Sequence, residues 1–363
     1  MRRHSFRVPT RRRPSSLGVF FEGFYNYDGR IQFIQYDGDH PMDHPAGIHP
    51  YSFRETLVVH ELVHALQDEF GSRAGQIRQT GAGSFDEIAA SAALLEGEAV
   101  YLEALYIEQC ASGAWECVVE PPAPPYSTEP TNHENRELAE VFLARYPYLE
   151  GVAFVDHLYT EGVSGRTDWE AVHHAHQNPP TSTEQVTHPE RYPSEPVAAV
   201  FGPENSRNGR IPKFWSRLGE RQLYMMFWYQ DREHGIPVID SEDHFSDAEA
   251  LSDRFVYEST PSTGWAGDRL LTFSRGEEDA YVWIIQFDSV GDAEEFHAAY
   301  LQVLAGHGGE QVGDYVWVIP DGQFVDAFYV RQSGVQVTIV NAPTVEDLGD
   351  VNPNVATLVE SGR

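Results

Sequence analysis

The sequence predicts an α+β protein in which a mostly helical first part precedes a smaller C-terminal α+β domain. The 363 residues exceed one average domain, and a hydrophobic fraction of 41% is enough to bury a sizeable core. Capping boxes predict helices in the first part, and short alternating segments after residue 264 predict strands. We therefore expect a basic leader over residues 1–22, a helical domain over 23–246 and the α+β domain over 247–363.

Four capping boxes predict where helices begin in the first part. In each of them a Ser or Thr precedes a Glu by three residues, and each residue satisfies a free backbone N–H group of the other. The helices predicted from these boxes cover residues 52–70, 84–109, 167–177 and 181–188. Alternating polar and apolar residues over 30–36 predict a strand before the first of these helices.

The hydrophobic pattern predicts the remaining elements. A Pro- and Glu-rich stretch over residues 112–135 indicates a surface insertion after the second helix. The further predicted helices are 136–146, 152–159, 215–229, 247–257 and, inside the C-terminal domain, 293–304. The strands predicted for that domain are 270–274, 280–287, 315–319, 325–331 and 336–340.

Charge and hydropathy exclude several classes of partner. The chain carries 25 basic and 56 acidic residues, a net charge of −31, so its field repels nucleic-acid phosphate and anionic membrane surfaces. No run approaches about eighteen consecutive apolar residues, so we expect no transmembrane helix. Excess carboxylate with Lys213 as the single lysine favours a halophilic acidic protein, because concentrated salt screens self-repulsion. Arginine-rich codon usage in a GC-rich genome is the alternative explanation.

The amino terminus and the two cysteines leave the compartment open. The first residues are basic, but the apolar stretch Leu17–Phe21 is short for a signal peptide, so we expect either a cytoplasmic protein or a truncated start. Cys110 and Cys117 either close a short loop in an oxidising compartment or remain free thiols in a reducing one.

One motif carries metal chemistry. The sequence His60-Glu61-Leu62-Val63-His64 has the form H-E-x-x-H and lies in the first predicted helix. Side chains four residues apart lie on one face of a helix, so both imidazoles can reach one ion. Glu61 lies beside them and can take a proton from metal-bound water. Apolar residues surround the motif, and buried imidazoles need a polar partner, so we predict a Zn²⁺ site.

A catalytic zinc site takes three protein ligands, and the sequence offers two candidates for the third. A later histidine on the same helix is excluded because the relevant positions hold Gln67 and Phe70. Glutamates on the second helix remain. Glu96 shares its face with small side chains that allow two helices to approach closely, whereas Glu98 shares its face with bulkier ones. We favour Glu96 as the ligand and keep Glu98 as the alternative.

These residues resemble a known pattern. His60–Asp68 followed by Leu95–Ala99 looks like the gluzincin branch of zinc metallopeptidases. The segment Asn178–Tyr192 is similar to a Pro-Pro-x-Ser-Thr-Glu-Gln-x-x-His-Pro segment in zincin-type surface proteins of haloarchaea and some bacteria, and Gly264–Arg269 also resembles that group. The resemblance covers roughly residues 23–350. It implies a zincin-like fold for the first domain and a zinc-dependent hydrolase at the cell surface.

Other polar residues are candidates for supporting roles. A zinc hydrolase needs a donor that stabilises the oxyanion of the tetrahedral intermediate, and His188 and Tyr192 are candidates because a capped helix and a proline fix their positions. The alternative is that this segment only packs against the rest of the fold. Asp68 and Asp86 are candidate acceptors for the second N–H group of a ligand imidazole.

We therefore predict a zinc-dependent metallopeptidase that acts on a peptide or protein substrate. His60, His64 and Glu96 would hold Zn²⁺, and Glu61 would be the general base toward metal-bound water. The alternative is a surface protein whose metal only joins two helices. Water in the fourth coordination position favours the enzyme, whereas a fourth protein ligand favours the structural role.

Overall fold

The computed structural model describes residues 23–26, 29–33, 55–117, 135–203, 208–241 and 257–355. The described residues form an α+β protein, as the sequence predicts. Several predicted features lie outside the described residues: the leader, the capping box at Ser52, the end of the strand over 30–36, most of the Pro-rich insertion and all but the last residue of the helix over 247–257.

In the first part of the chain, the described residues form a small hairpin and six helices. The hairpin pairs β1 (Gly23–Asn26) with β2 (Arg30–Phe33). The helices are α1 (Glu55–Glu69), α2 (Arg73–Thr80), α3 (Phe85–Ala111), α4 (Asn135–Thr160), α5 (Asp168–Gln177) and α6 (Glu184–Thr187), which a 3₁₀ turn over Pro189–Arg191 follows. Cys110 and Cys117 form a disulfide at the end of α3. Within the described residues, no helix is both long and apolar enough to cross a membrane.

The described residues of the second part are built on an antiparallel sheet of seven strands. Its elements are β3 (Ile211–Ser216), α7 (Glu220–His234), β4 (Trp265–Arg275), β5 (Glu278–Phe287), α8 (Val290–Gly306), β6 (Glu310–Gly313), β7 (Val316–Ile319), β8 (Asp326–Ser333), β9 (Gln336–Ala342) and α9 (Val345–Val351). The strand order is β3-β4-β5-β9-β8-β7-β6. Since β3 belongs to this sheet, the sheet begins before residue 247, where the sequence places the domain boundary.

Helices cover both faces of this sheet. On β5, Trp283 and Ile285 point to the face that α8 covers through Phe296. The intervening residues of β5 point to the opposite face, where Leu348 of α9 packs. Strand residues alternate between the two faces, so two cores form from one sheet.

Two predicted helices differ from the structure because packing and backbone pairing outweigh local pattern. The sequence predicts a break between residues 146 and 152, but α4 is continuous with Pro147 inside it. The helix predicted over 215–229 is wrong at its start, since Trp215 lies in β3 paired with Leu271. The helix begins only at Glu220, after Gly219 adopts a left-handed conformation with φ +84°.

Of the capping boxes predicted for the described helices, one forms its N-cap hydrogen bond as predicted, one does not form it and one is shifted by a residue. Ser84 caps α3 as predicted, since its hydroxyl accepts a hydrogen bond from the Glu87 backbone N–H at 3.2 Å. Thr167 is the residue before α5, but its side chain makes no capping hydrogen bond. The box predicted at Thr181 is displaced by one residue. There Ser182 accepts from the Gln185 backbone N–H at 3.2 Å, and the Gln185 side chain accepts from the Thr181 N–H at 2.8 Å.

Helices α3 and α4 approach each other through glycine. Ala93 lies against Gly151, and Tyr101 lies against Tyr159, so the two helices run in the same direction. A Cβ atom placed on Gly97 would lie 2.1 Å from the backbone oxygen of Gly151. Only glycine fits at this crossing, because the obstructing atom belongs to the backbone.

We expect Gly97→Ala to destabilise the protein by about 1–3 kcal/mol, since the new methyl group must push α4 away from α3. Thermal unfolding followed by circular dichroism measures the effect. Gly291→Ala is the matched control, because the nearest atom to its added Cβ lies at 3.5 Å. Equal melting temperatures for the two variants would refute the close crossing.

Candidate metal centre

The candidate site lies between α1 and α3. His60, Glu61 and His64 lie on α1, and Glu96 lies near the middle of α3. His60 lies against Glu96 and Glu103, whereas Gln67 lies against Leu95, so α1 and α3 run antiparallel. This arrangement places one face of the H-E-x-x-H turn against the middle of the second helix, as the sequence predicts for Glu96.

One atom of each of the three predicted ligands faces a common centre. His60 Nε2 lies 3.1 Å from His64 Nε2 and 3.1 Å from Glu96 Oε2, and His64 Nε2 lies 3.2 Å from the same carboxylate oxygen. The distances therefore form a nearly equilateral triangle. His60 and Glu96 are buried, and His64 is partly buried. Among the described residues, these three form a group that can hold a metal ion.

Outer partners orient each of the three side chains. His64 Nδ1 contacts Gln67 Oε1 at 2.9 Å, and His60 Nδ1 lies 3.5 Å from Glu103 Oε1. The second oxygen of Glu96 accepts a hydrogen bond from the Arg78 guanidinium on α2. In each imidazole the nitrogen that faces away from the triangle thus has an acceptor, which leaves Nε2 directed into it.

The electrostatics of the cluster favour a cation. Burial opposes ionisation of Glu96, but Arg78 and the two imidazoles outweigh burial and hold the pKa of this carboxyl well below its usual range. Burial also opposes protonation of His60, yet Glu103 and Glu96 raise its pKa to about 10. A bound divalent ion would take the place of that proton, because its positive charge is attracted by the same two carboxylates, Glu96 and Glu103.

Glu61 lies beside the triangle without being part of it. The carboxylate is buried, and among the described residues its Oε2 atom has no hydrogen-bond partner. Burial raises the pKa of Glu61, and the two imidazoles and the backbone N–H of Tyr25 lower it by less. A buried carboxylate with an unpaired oxygen next to a metal site is a suitable proton acceptor.

Glu98, the alternative ligand, has a different partner. Glu98 and His176 of α5 are both buried, and Glu98 Oε2 lies 2.8 Å from His176 Nε2. Gln67 also donates to Glu98, at 2.6 Å. Burial opposes ionisation of Glu98, but His176 and Gln67 outweigh it and lower the pKa of the carboxyl.

The candidate supporting residues have other partners. His188 Nε2 lies 3.1 Å from Glu220 Oε1, and the Tyr192 hydroxyl donates to the Asn178 carbonyl. No hydrogen bond or ion pair among the described residues joins either side chain to the triangle, so the structure does not bring them to the site. Asp68 accepts from the Tyr25 hydroxyl at 2.9 Å.

Asp86, the other predicted acceptor for a ligand imidazole, lies at a joint between the two parts of the chain. One of its oxygens accepts from the Thr183 backbone N–H at 2.8 Å, and the other pairs with Arg217 Nε at 3.0 Å. Gln67 and Glu103, rather than Asp68 and Asp86, contact the ligand imidazoles. Gln67 lies one turn after His64 on the same helix, whereas Glu103 reaches His60 from α3.

A small pocket opens beside His64. Its volume is about 110 Å³. The lining residues are His64, Gln67, Asp68, Gly71, Ser72, Gly75, Gln76, Gln79 and Leu95. The lining is mostly amide, hydroxyl and glycine backbone, so the space next to the imidazole suits a small polar group.

Comparison with known proteins concerns the second part of the chain. Residues 213–352 match a family model described as a domain of unknown function (DUF8575). The match runs from within β3 to just beyond α9, and the three candidate ligands lie outside it. No curated protein and no solved structure matches the chain.

We expect His188→Gln to reduce the pH dependence of stability on the alkaline side. Burial lowers the pKa of His188, but Glu220 and Glu258 outweigh burial and the charge of Arg191 and raise it to about 9. Since this is above the usual 6.5, the stabilisation is complete below about pH 6.5 and is lost as the pH rises through about 9.

Melting temperatures between about pH 6 and about pH 10 measure this dependence. The control is His173→Gln, on the exposed side of α5. The role assigned to the His188–Glu220 pair is wrong if both variants and the parent lose stability in parallel.

Proposed function

We propose that the protein is a zinc-dependent hydrolase, and specifically a metallopeptidase that cleaves a peptide bond. The observation that carries the proposal is the buried triangle of His60, His64 and Glu96 with Glu61 beside it. Two imidazole nitrogens and one carboxylate oxygen are the donor set of catalytic zinc sites that keep one position open.

The geometry of the donors fits zinc. Ligands about 2.0–2.1 Å from a tetrahedral ion lie about 3.3–3.4 Å from one another. The observed separations of 3.1, 3.1 and 3.2 Å are close to these values without any rearrangement of the helices. Oxygen-preferring ions such as Mg²⁺ and Ca²⁺ fit less well, because two of the three donors are imidazoles.

Each residue has a separate task in this proposal. Zinc, when bound, supplies a Lewis acid that polarises a carbonyl group and acidifies water. Glu61 accepts a proton and returns it to the leaving amine, which its buried and unpaired oxygen supports. Arg78 holds the non-ligating oxygen of Glu96 and fixes the carboxylate from α2.

The setting of the site supports a role outside a reducing compartment. The disulfide between Cys110 and Cys117 is the kind of bond that persists in oxidising environments. The net charge of −31 fits a protein that remains soluble in concentrated salt. We propose an extracytoplasmic, halophilic enzyme whose substrate is a peptide or protein.

We expect the purified protein to bind one zinc ion, and Glu96→Gln to weaken binding by more than about 100-fold, because a ligand rather than a supporting residue is lost. Elemental analysis gives the stoichiometry, and competition with a chromophoric chelator gives the affinity. Glu108→Gln, on an exposed position of α3, should bind zinc as the parent does. A Glu96→Gln variant with parental affinity would exclude Glu96 as a ligand.

We expect Glu61→Gln to keep zinc and to lower peptide hydrolysis by about 100- to 10,000-fold, the contribution typical of a general base. Cleavage of a library of quenched fluorescent peptides in concentrated salt measures the activity. The control is Glu69→Gln, on the exposed side of the same helix. A parent protein that binds zinc and cleaves no peptide would instead support a metal that only joins α1 to α3.

A further inference from the structure

A continuous series of polar contacts runs from His64 into the interior of the protein. His64 Nδ1 lies 2.9 Å from Gln67 Oε1, and the Gln67 amide nitrogen donates to Glu98 Oε2 at 2.6 Å. The same Glu98 oxygen lies 2.8 Å from His176 Nε2. His176 Nδ1 lies 2.9 Å from Ser72 Oγ. The series connects α1, α3 and α5 with the residue that caps α2.

The orientation of the Gln67 amide is fixed by its neighbours. Its nitrogen donates to two groups that can only accept, the Leu95 carbonyl at 3.0 Å and the Glu98 carboxylate. A flipped amide would place its oxygen against both acceptors, so the oxygen must face His64. Consequently His64 carries a proton on Nδ1, and Nε2 is the ring nitrogen that faces His60 and Glu96.

Ser72 holds the far end of the series. Ser72 Oγ accepts the backbone N–H of Gly75 at 3.1 Å, and its hydroxyl proton is free to face His176 Nδ1. The Nε2 atom of the same ring lies 2.8 Å from Glu98 Oε2, a close polar contact that lacks the alignment of a hydrogen bond. His176 is completely buried, which leaves its ring no alternative solvent contact.

We propose that Glu98 and His176 are positioning residues for the metal centre. They hold the Gln67 amide in the orientation that fixes the His64 ring for metal binding. His176 itself has no hydrogen bond or ion pair with the three ligands among the described residues, so it acts through Glu98 and Gln67. This inference rests on the proposed metal site and adds a determinant of affinity that lies on a third helix.

Zinc affinity of the full-length protein tests the proposal. We expect Glu98→Gln to lower the affinity by about 10- to 100-fold, since the charged acceptor of the Gln67 amide is lost and the Leu95 carbonyl alone then opposes a flip. His176→Leu should have a similar effect. His176→Gln should restore most of the affinity, because its amide N–H can reach Glu98. His173→Gln, on the same helix and exposed, is the matched control.

Two readouts separate positioning from stability. Chelator competition gives the affinity, and the visible absorption of the Co²⁺-loaded protein reports the ligand geometry of the folded fraction. We expect the Co²⁺ spectrum of Glu98→Gln to change while the melting temperature of the metal-free protein stays near that of the parent. If His176→Leu does not fold, Glu98→Gln decides, because it changes one side-chain atom.

Parental zinc affinity and an unchanged Co²⁺ spectrum in Glu98→Gln would overturn the inference while the metal site stands. Failure of the parent to bind zinc would overturn the metal site and this inference with it. Absence of peptidase activity in a parent that binds zinc would refute only the hydrolase.

Discussion

Burial of the Glu96 carboxylate is the constraint around which the first part of the molecule is arranged. A buried carboxylate costs several kcal/mol unless cations or hydrogen-bond donors surround it. Here α1 contributes two imidazoles to one oxygen and α2 contributes Arg78 to the other. Three helices therefore meet on one side chain. A divalent ion at the triangle would take over part of this compensation from the proton on His60, whose pKa burial lowers but Glu103 and Glu96 raise to about 10.

The face of α3 that neighbours Glu96 packs against α4. Gly97, the next residue, faces Gly151 at the crossing with α4, so the two helices lie in backbone contact. We expected small residues on the Glu96 face to allow a close helix approach, and Gly97 allows the approach of α4. The residue next to Glu96 therefore sets the spacing of α3 from α4, while Glu96 faces the imidazoles of α1.

The sequence was informative where the relevant spacing lies within one helix. Four-residue spacing brings His60 and His64 together, and side-chain size distinguished Glu96 from Glu98. The partners of these residues could not be predicted, because Arg78 and His176 reach the site from other helices. Strands with clear alternation were predicted, but β3 was not, since an apolar run without a visible break fits a helix or a strand equally well.

The segment from Asn178 to Tyr192 shows that an unusual polar sequence need not be catalytic. Its polar side chains satisfy buried groups at the interface between the helical part and the sheet. Helix α7 supplies Tyr224 and Trp228 to the helical core and Phe227 to the core of the sheet, so the two parts share one element. Where they meet, backbone N–H groups and charges lose water and need internal partners. Hydroxyls accept from the backbone N–H groups, as at the Ser182 cap, and ion pairs compensate the charges.

Arg191 pairs with both parts of the chain at this interface. It contacts Glu184 at 2.8 Å within the segment and Asp288 at 2.7 Å beside the sheet. Residue types that satisfy a desolvated interface are the same types that perform catalysis, and only their distance from the candidate metal site separates the two roles.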